Sequence, residues 1–351
     1  MIPSNVKRTK SVLIIVSLYG LFHLTFYLLG FNFISNSDVG WYYSIVKDPL
    51  MFDHAVQPLY PLLSKLFIEL TGNSLSDYLI MNLVNLGFLI GYVIILNKIL
   101  SHLDKGYSTL DILLFFSLPF FSYFMTFIPR ANSMLAFIEF STIYLLYKNQ
   151  RKFIFYFLIS LLPFVHKSSM FFILGLVIYD ILEKSFSFKK YLLSSLPFIA
   201  YLILGSFLKH NDLFWWFNGY SDSSSDLNFV VFSGIADNIY SGFVGKKLFD
   251  IVQASLLLMI YLIYVFFFIK GLLSRNNKAV LFYLPGILIL PFLPKSEINS
   301  FVHYSYFGFF GLFIEFKEME VFKAKPIKFS LLFLFVSFQL FFILYAYKLL
   351  R

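Results

Sequence analysis

Long apolar runs separated by short polar segments dominate the hydropathy pattern of the chain. A helix needs roughly 20 apolar residues to cross a bilayer core of about 30 Å, and uncharged runs near that length recur from residue 11 to residue 347. The pattern predicts an all-α, polytopic integral membrane protein with about 11 transmembrane helices in a single transmembrane domain, residues 1–351. The predicted spans are residues 12–34, 78–99, 110–128, 131–147, 153–166, 168–184, 191–208, 250–270, 278–294, 299–315 and 329–347.

The composition excludes soluble classes of protein. Hydrophobic residues make up 59% of the chain and charged residues only 13%, whereas about a quarter of an ordinary soluble domain is charged. A soluble fold of this size would lack the polar residues that cover a surface, and a disordered chain would be far less apolar. Cys is absent, which excludes disulfides, thiolate nucleophiles and Cys metal ligands.

The distribution of Lys and Arg explains the net charge of +9 and predicts the orientation. With the N-terminus in the cytoplasm, 18 of the 28 basic residues fall in cytoplasmic segments, as the positive-inside rule requires. The sequence therefore predicts a multi-pass protein of the cell membrane with an extracytoplasmic C-terminus. Nucleic-acid binding needs a basic patch with reading elements, and because neither is visible we expect no nucleic-acid partner.

Two long connections lie on the predicted outer face, at residues 35–77 and 209–249, whereas the cytoplasmic connections are short. Loops of this length are usually functional, so we expect the functional site on the outer face. In the second loop, Trp215, Trp216 and Phe217 suit either an aromatic belt at the membrane interface or a surface that stacks on sugars.

The first outer loop predicts two amphipathic helices. The second of these starts at Gln57-Pro58, and Lys65 and Glu69 have the i,i+4 spacing that favours an ion pair. We expect both helices to lie in the plane of the membrane interface. The apolar positions of the first helix are Val39, Tyr42, Tyr43 and Val46.

Asp38 follows the first span on the outer face and has two interpretations. A carboxylate at this position could take a proton from an attacking sugar hydroxyl. Ser37 or Asp38 could equally be the N-cap of the helix that begins near Val39.

Cationic residues flank the central spans. Arg130 precedes the span 131–147, where its guanidinium suits either phosphate binding or snorkelling to the interface. His166 and Lys167 follow an apolar run of 13 residues, 153–165, which makes only about 20 Å of helix. They should therefore lie below the outer surface of the membrane, where a water-filled cavity or an interaction partner must offset the cost of burying them. Arg130 and Lys167 could together neutralise a diphosphate, while the intramembrane acid Glu139 is either functional or the partner of a buried base.

The chain resembles membrane glycosyltransferases of the GT-C type that use polyprenyl-linked sugars. The stretch from Arg130 to Ser169 is most similar to the EpsG/Wzy-like polysaccharide polymerases, in which an Arg opens one span and a His-x-Ser motif follows. Gln57 stands where those polymerases carry an acid, and Ala131 replaces the polar partner expected after the Arg. The residues that carry the resemblance are Asp38, Pro58-Leu59-Tyr60-Pro61-Leu62-Leu63, Arg130 and His166-Lys167-Ser168-Ser169.

The resemblance implies a GT-C-like fold and sugar transfer at the extracytoplasmic face, in surface polysaccharide synthesis. The donor would be a polyprenyl-phosphate- or polyprenyl-diphosphate-linked sugar, and the acceptor a glycan or a lipid-linked saccharide. Asp38 would act as the base or orient the acceptor hydroxyl. No cofactor and no metal ligands are assigned, and a divalent metal stays an open alternative. The substrate- or phosphate-binding residues would be Arg130, His166, Lys167, Gln57 and Tyr42.

Two alternative functions stay open. Asp38 and the Pro58–Leu63 segment equally resemble PIG-V-like mannosyltransferases, which transfer a single sugar, although Asn132 stands where an acid is expected there. The alternative from another class is a lipid-linked-sugar flippase or a small-molecule transporter. Transporters are often built from internal repeats, but residues 1–175 and 176–351 show no self-similarity.

Overall fold

A computed structural model describes residues 4–30, 39–47, 58–72, 74–103, 107–117, 127–207, 248–292, 306–318, 324–334 and 336–337. Every regular element within these ranges is helical, which confirms the all-α prediction. Residues 325–334 are also helical. The other helices are α1 (Ser4–Leu28), α2 (Val39–Lys47), α3 (Leu59–Leu70), α4 (Asp77–Leu103), α5 (Thr109–Ser117), α6 (Asn132–Tyr147), α7 (Phe153–Val165), α8 (Ser169–Leu182), α9 (Phe188–Gly205), α10 (Leu248–Leu273), α11 (Lys278–Phe292) and α12 (Tyr306–Glu318).

Each predicted span overlaps one of these helices, but few of the helices are long. Within the described residues, two are long and apolar enough to cross a membrane, Thr9–Leu28 of α1 and Asp77–Leu103 of α4. The count of eleven spans is therefore not established by helix length. Shorter apolar helices are Phe153–Val165, Ser169–Leu182, Leu258–Leu273 and Lys278–Ile289.

Residue contacts group the helices into two compact units. The first contains α1 to α7, α9 from Lys189 onward, and the helical residues 325–334. The second contains α8, α10, α11 and α12. The single transmembrane domain of the sequence analysis stays a prediction, and the two units are described separately.

The two predicted helices of the first outer loop are confirmed as α2 and α3. α3 begins directly after Pro58, and Lys65 Nζ lies 3.8 Å from Glu69 Oε1 in the predicted ion pair. Three of the four apolar positions named for α2, Val39, Tyr42 and Val46, are buried. Ile45 is buried and Tyr43 is half-buried, because the helix turns its 39, 42, 45 and 46 positions to the protein. The predicted caps, Ser37 and Asp38, lie outside the described residues.

α1, α4 and α6 form the core of the first unit. The buried side chains of α1 recur every three or four residues, the spacing of one helix face. α4 contacts both α1 and α6, and a Cβ atom on Gly91 of α4 would lie 2.8 Å from the Phe137 ring of α6. Only glycine at this position permits the close approach of the two helices. The buried positions of α1 are Ser11, Ile15, Tyr19, Phe22 and Phe26.

Three short connections end their preceding helix in the same way. Asn149, Lys184 and Arg275 each have a φ between 52° and 56°, the left-handed conformation that terminates helices. After Asn149, the Gln150 N–H donates to the Leu145 carbonyl at 2.9 Å. The resulting tight turn brings α7 back against α6, so these two helices form an antiparallel hairpin.

α11 is the centre of the second unit and contacts α8, α10 and α12. The rings of Phe172 on α8 and Phe307 on α12 are stacked with centroids 4.5 Å apart. A Cβ atom on Gly308 would lie 2.2 Å from the Tyr264 ring, so glycine is required where α12 meets α10. Lys270 and Glu315 add an ion pair between these two helices, at 3.2 Å.

Candidate functional site

The structure describes four of the six predicted site residues, and all four belong to the first unit. Asp38 and Gln57 lie outside the described residues, so their roles stay predictions. The four described residues are Tyr42, Arg130, His166 and Lys167.

Arg130 lies in a bend, residues 128–130, that directly precedes α6. Its backbone N–H donates to the Ile128 carbonyl at 2.8 Å. Its side chain is half-buried, whereas the side chains of Pro129 and Ala131 on either side are buried. The local packing therefore encloses the backbone on both sides of Arg130, and the Nε atom of its guanidinium is buried as well.

His166 and Lys167 follow the end of α7. The helix is Phe153–Val165, 13 residues long, as the sequence predicts. His166 is extended, with φ −160° and ψ 136°, and only 3% exposed, while Lys167 is half-buried. Because α6 and α7 form an antiparallel hairpin, His166 and Lys167 lie at the same end of the first unit as Arg130.

We call this end of the first unit, where α1 and α7 finish and α4 and α6 begin, the Arg130 end. The loop helices α2 and α3 also belong to it, since α3 contacts α2, α4 and α7. The hydroxyl of Tyr60 on α3 donates to the Met81 carbonyl of α4 at 2.9 Å, and burial raises the pKa of Tyr60 well above its usual value. Tyr42 packs edge-on against the Tyr60 ring, with centroids 5.7 Å apart. Tyr42 thus helps to hold α2 on α3.

A hydrogen-bonded chain of four side chains connects α1, α4 and α6 at the Arg130 end. The Ser133 hydroxyl donates to Asn85 Oδ1, and Asn85 Nδ2 donates to Tyr19 Oη at 3.4 Å. Tyr19 Oη donates to Asn82 Oδ1 at 2.9 Å, and Asn82 Nδ2 donates to the Tyr78 carbonyl at 2.9 Å. We call this chain the Tyr19–Ser133 network.

The Tyr19–Ser133 network has the properties of a positioning element. Each donor in the network has an acceptor, and the bonds run from Ser133 through Asn85 and Tyr19 to Asn82. Tyr19, Asn85 and Ser133 are at most 6% exposed. A buried polar network with satisfied partners rigidifies and specifies a packing arrangement. Because Ser133 lies three residues after Arg130, the network fixes the start of α6 relative to α1 and α4.

Sequence reasoning missed this network, although a signal was present. Asn82 and Asn85 are three residues apart and therefore share one face of an otherwise apolar helix. Ser133 opens the predicted fourth span, and Tyr19 is a polar position within the first. What the sequence does not contain is the register that brings these three helices together.

Glu139 lies deeper in the first unit, seven residues after the start of α6. It is 3% exposed, and the side chain of Tyr92 on α4, which is fully buried, lies in its neighbourhood. Within the described residues, no group of three His, Asp or Glu could hold a metal ion.

No protein-family model matches the chain, and neither the curated proteins nor the solved structures include a significant match.

Proposed function

We propose that the chain is an integral membrane glycosyltransferase of the EpsG/Wzy-like type, which uses a polyprenyl-(di)phosphate-linked sugar at the extracytoplasmic face. The observation that carries the proposal is the common location of Arg130, His166 and Lys167 at one end of the α6–α7 hairpin, next to the loop helices α2 and α3. Cations below a membrane surface are costly, and an anionic lipid headgroup is a ligand that offsets this cost.

The proposed chemistry follows from charge development during sugar transfer. The bond between the anomeric carbon and the phosphate oxygen breaks, so negative charge grows on the leaving phosphate. Fixed cations are most stabilising where charge develops, and this is the role of Arg130 and Lys167. Asp38 accepts the proton of the acceptor hydroxyl as that oxygen attacks the anomeric carbon. No nucleotide is needed, because the donor is already activated by its phosphate.

The proposed topology has eleven spans, with the N-terminus in the cytoplasm and the Arg130 end on the outer face. The direction of the helices supports it. α1 is antiparallel to α4, since Ser11 and Tyr19 contact Asn97 and Asn82 respectively. α4 and α6 run in the same direction, as expected for the second and fourth spans. The connection between α6 and α7, at the opposite end, carries Lys148, Arg151 and Lys152.

Profiles of lipid-linked saccharides in a strain that lacks the chain test the proposal. Accumulation of single lipid-linked repeat units, reversed by the wild-type chain and not by Arg130→Ala, is the expected result for a polymerase. A glycan shorter by one sugar would indicate the single-sugar transferase instead. Intact lipid-linked saccharides trapped on the cytoplasmic face would indicate a flippase, and unchanged profiles would contradict all three.

A further inference from the structure

The bend that carries Arg130 is anchored to α1 by His23. His23 Nε2 lies 2.8 Å from the carbonyl oxygen of Phe127, three residues before Arg130. Because a carbonyl only accepts hydrogen bonds, Nε2 carries the proton and donates it. His23 therefore satisfies a backbone carbonyl at the point where the chain enters the bend.

The side chain of Phe127 adds a second contact to the same helix. Its ring is fully buried and packs against Tyr19 and Phe22, with centroids 5.4 Å and 5.6 Å away. Both the backbone and the side chain of Phe127 are thus fixed to α1. On the other side of the bend, the Ser133 hydroxyl is bonded to Asn85 of α4. Arg130 consequently lies between two anchors, each three residues away along the chain.

We propose that His23 is a positioning residue for Arg130. Its hydrogen bond to Phe127 sets the conformation of the bend, and the bend aims the guanidinium. The part of this inference that names a donor phosphate as the bound group rests on the proposed function. A guanidinium binds phosphate through two donors in a fixed fork, so a rotation of the bend weakens binding even though Arg130 itself is retained.

Kinetics of His23 variants test the inference in the purified, full-length protein with a polyprenyl-diphosphate-linked sugar as donor. His23→Phe keeps the ring contacts with Tyr19 and Phe22 and removes the donor. We expect it to raise the donor KM about fivefold, the scale of one hydrogen bond, with kcat within about twofold. His23→Gln, which restores an N–H donor, should recover most of the loss. The matched control is His102→Phe, at the other end of α4, where the ring lies 6.1 Å from Tyr147.

A double-mutant cycle separates positioning from general packing. If His23 acts through Arg130, His23→Phe should change the donor KM less than about twofold in the Arg130→Ala background, because coupled residues are not additive. An equal effect of His23→Phe in both backgrounds would overturn the inference and assign His23 a purely structural role.

A second readout does not depend on the proposed function. The native chain has no Cys, so Arg130→Cys introduces a single thiol whose labelling rate reports the exposure of the bend. His23→Phe should change this rate several-fold, while the rate at Ser74→Cys, an exposed position between α3 and α4, stays the same. An unchanged rate at Arg130→Cys overturns the inference. A changed rate in a protein that does not turn over the donor retains the inference and contradicts the proposed function.

Discussion

At the residue scale, the account depends on what compensates the charge of Arg130. The proposed ligand is a lipid phosphate at the Arg130 end, and the alternative is a protein-only pair with Glu139. Glu139 lies seven residues into α6, about 10 Å along the helix axis from its start.

The two alternatives differ in the yield of folded protein. If Arg130 serves a phosphate, Arg130→Ala and Lys167→Ala should each give wild-type yields in detergent, because no buried protein partner loses its charge. If Glu139 is the partner of Arg130, Arg130→Ala leaves an uncompensated buried acid and should lower the yield. Size-exclusion profiles of both variants, with and without Glu139→Gln, measure this difference. A reduced yield of Arg130→Ala that Glu139→Gln restores would contradict the phosphate site.

Asp38 carries the second prediction at this scale. Asp38→Asn preserves the size of the side chain and its ability to cap a helix, but it removes the base. We expect sugar transfer to fall by about 10² or more, a typical contribution of general-base catalysis, at normal protein levels. Transfer assays on equal amounts of purified protein provide the measurement. Full activity of Asp38→Asn would instead assign the residue to capping.

At the scale of the elements, the ends of helices were easier to predict from the sequence than the packing between helices. The end of α7 at Val165 was predictable because His166 and Lys167 follow it directly, and the start of α3 was predictable from Pro58. The Tyr19–Ser133 network was not predictable, since its members lie on three helices far apart in sequence. Their alignment depends on close packing, such as the approach of α4 to α6 at Gly91, and hydropathy does not encode that register.

The Tyr19–Ser133 network makes a stability prediction. Ser133→Ala removes the donor to Asn85 Oδ1, and we expect it to lower stability by about 1 kcal/mol, in line with interhelical hydrogen bonds in membrane proteins. The control is Ser195→Ala, because the Ser195 hydroxyl bonds only within its own helix, to the Leu192 carbonyl at 2.8 Å. Thermal unfolding in detergent should show a lower midpoint for Ser133→Ala alone. Equal midpoints for the two variants would argue against the network as a structural connection.

At the scale of the whole molecule, polar contacts connect neighbouring helices at each of the two ends of the first unit. At the end opposite to Arg130, Lys328 lies 2.5 Å from Asp111, and both side chains are largely buried. The proposed topology places both residues on the cytoplasmic side, although 217 positions separate them. Helix direction and this ion pair agree with the part of the proposal that places both residues on one side of the membrane. The proposal that this side is cytoplasmic rests on the distribution of Lys and Arg.

Cysteine labelling tests that orientation. Because the native chain contains no Cys, single thiols introduced as Ser74→Cys and Asn149→Cys report one side each. An impermeant reagent applied to intact cells should label Ser74→Cys, and it should label Asn149→Cys only after the membrane is permeabilised. The reverse pattern would place the Arg130 end in the cytoplasm, where an extracytoplasmic glycosyltransferase site cannot function.

The most direct test of the central claim is the donor dependence of sugar transfer by the purified protein. Initial rates are measured against the concentration of a polyprenyl-diphosphate-linked sugar for the wild type, Arg130→Ala and Arg130→Lys, with Lys65→Ala as a control cation whose partner is Glu69. The account predicts a donor KM raised about tenfold or more in Arg130→Ala, a partial recovery in Arg130→Lys because the bidentate fork is lost, and a wild-type KM in Lys65→Ala. The same donor KM in all four proteins, or no transfer by the wild type, would contradict it.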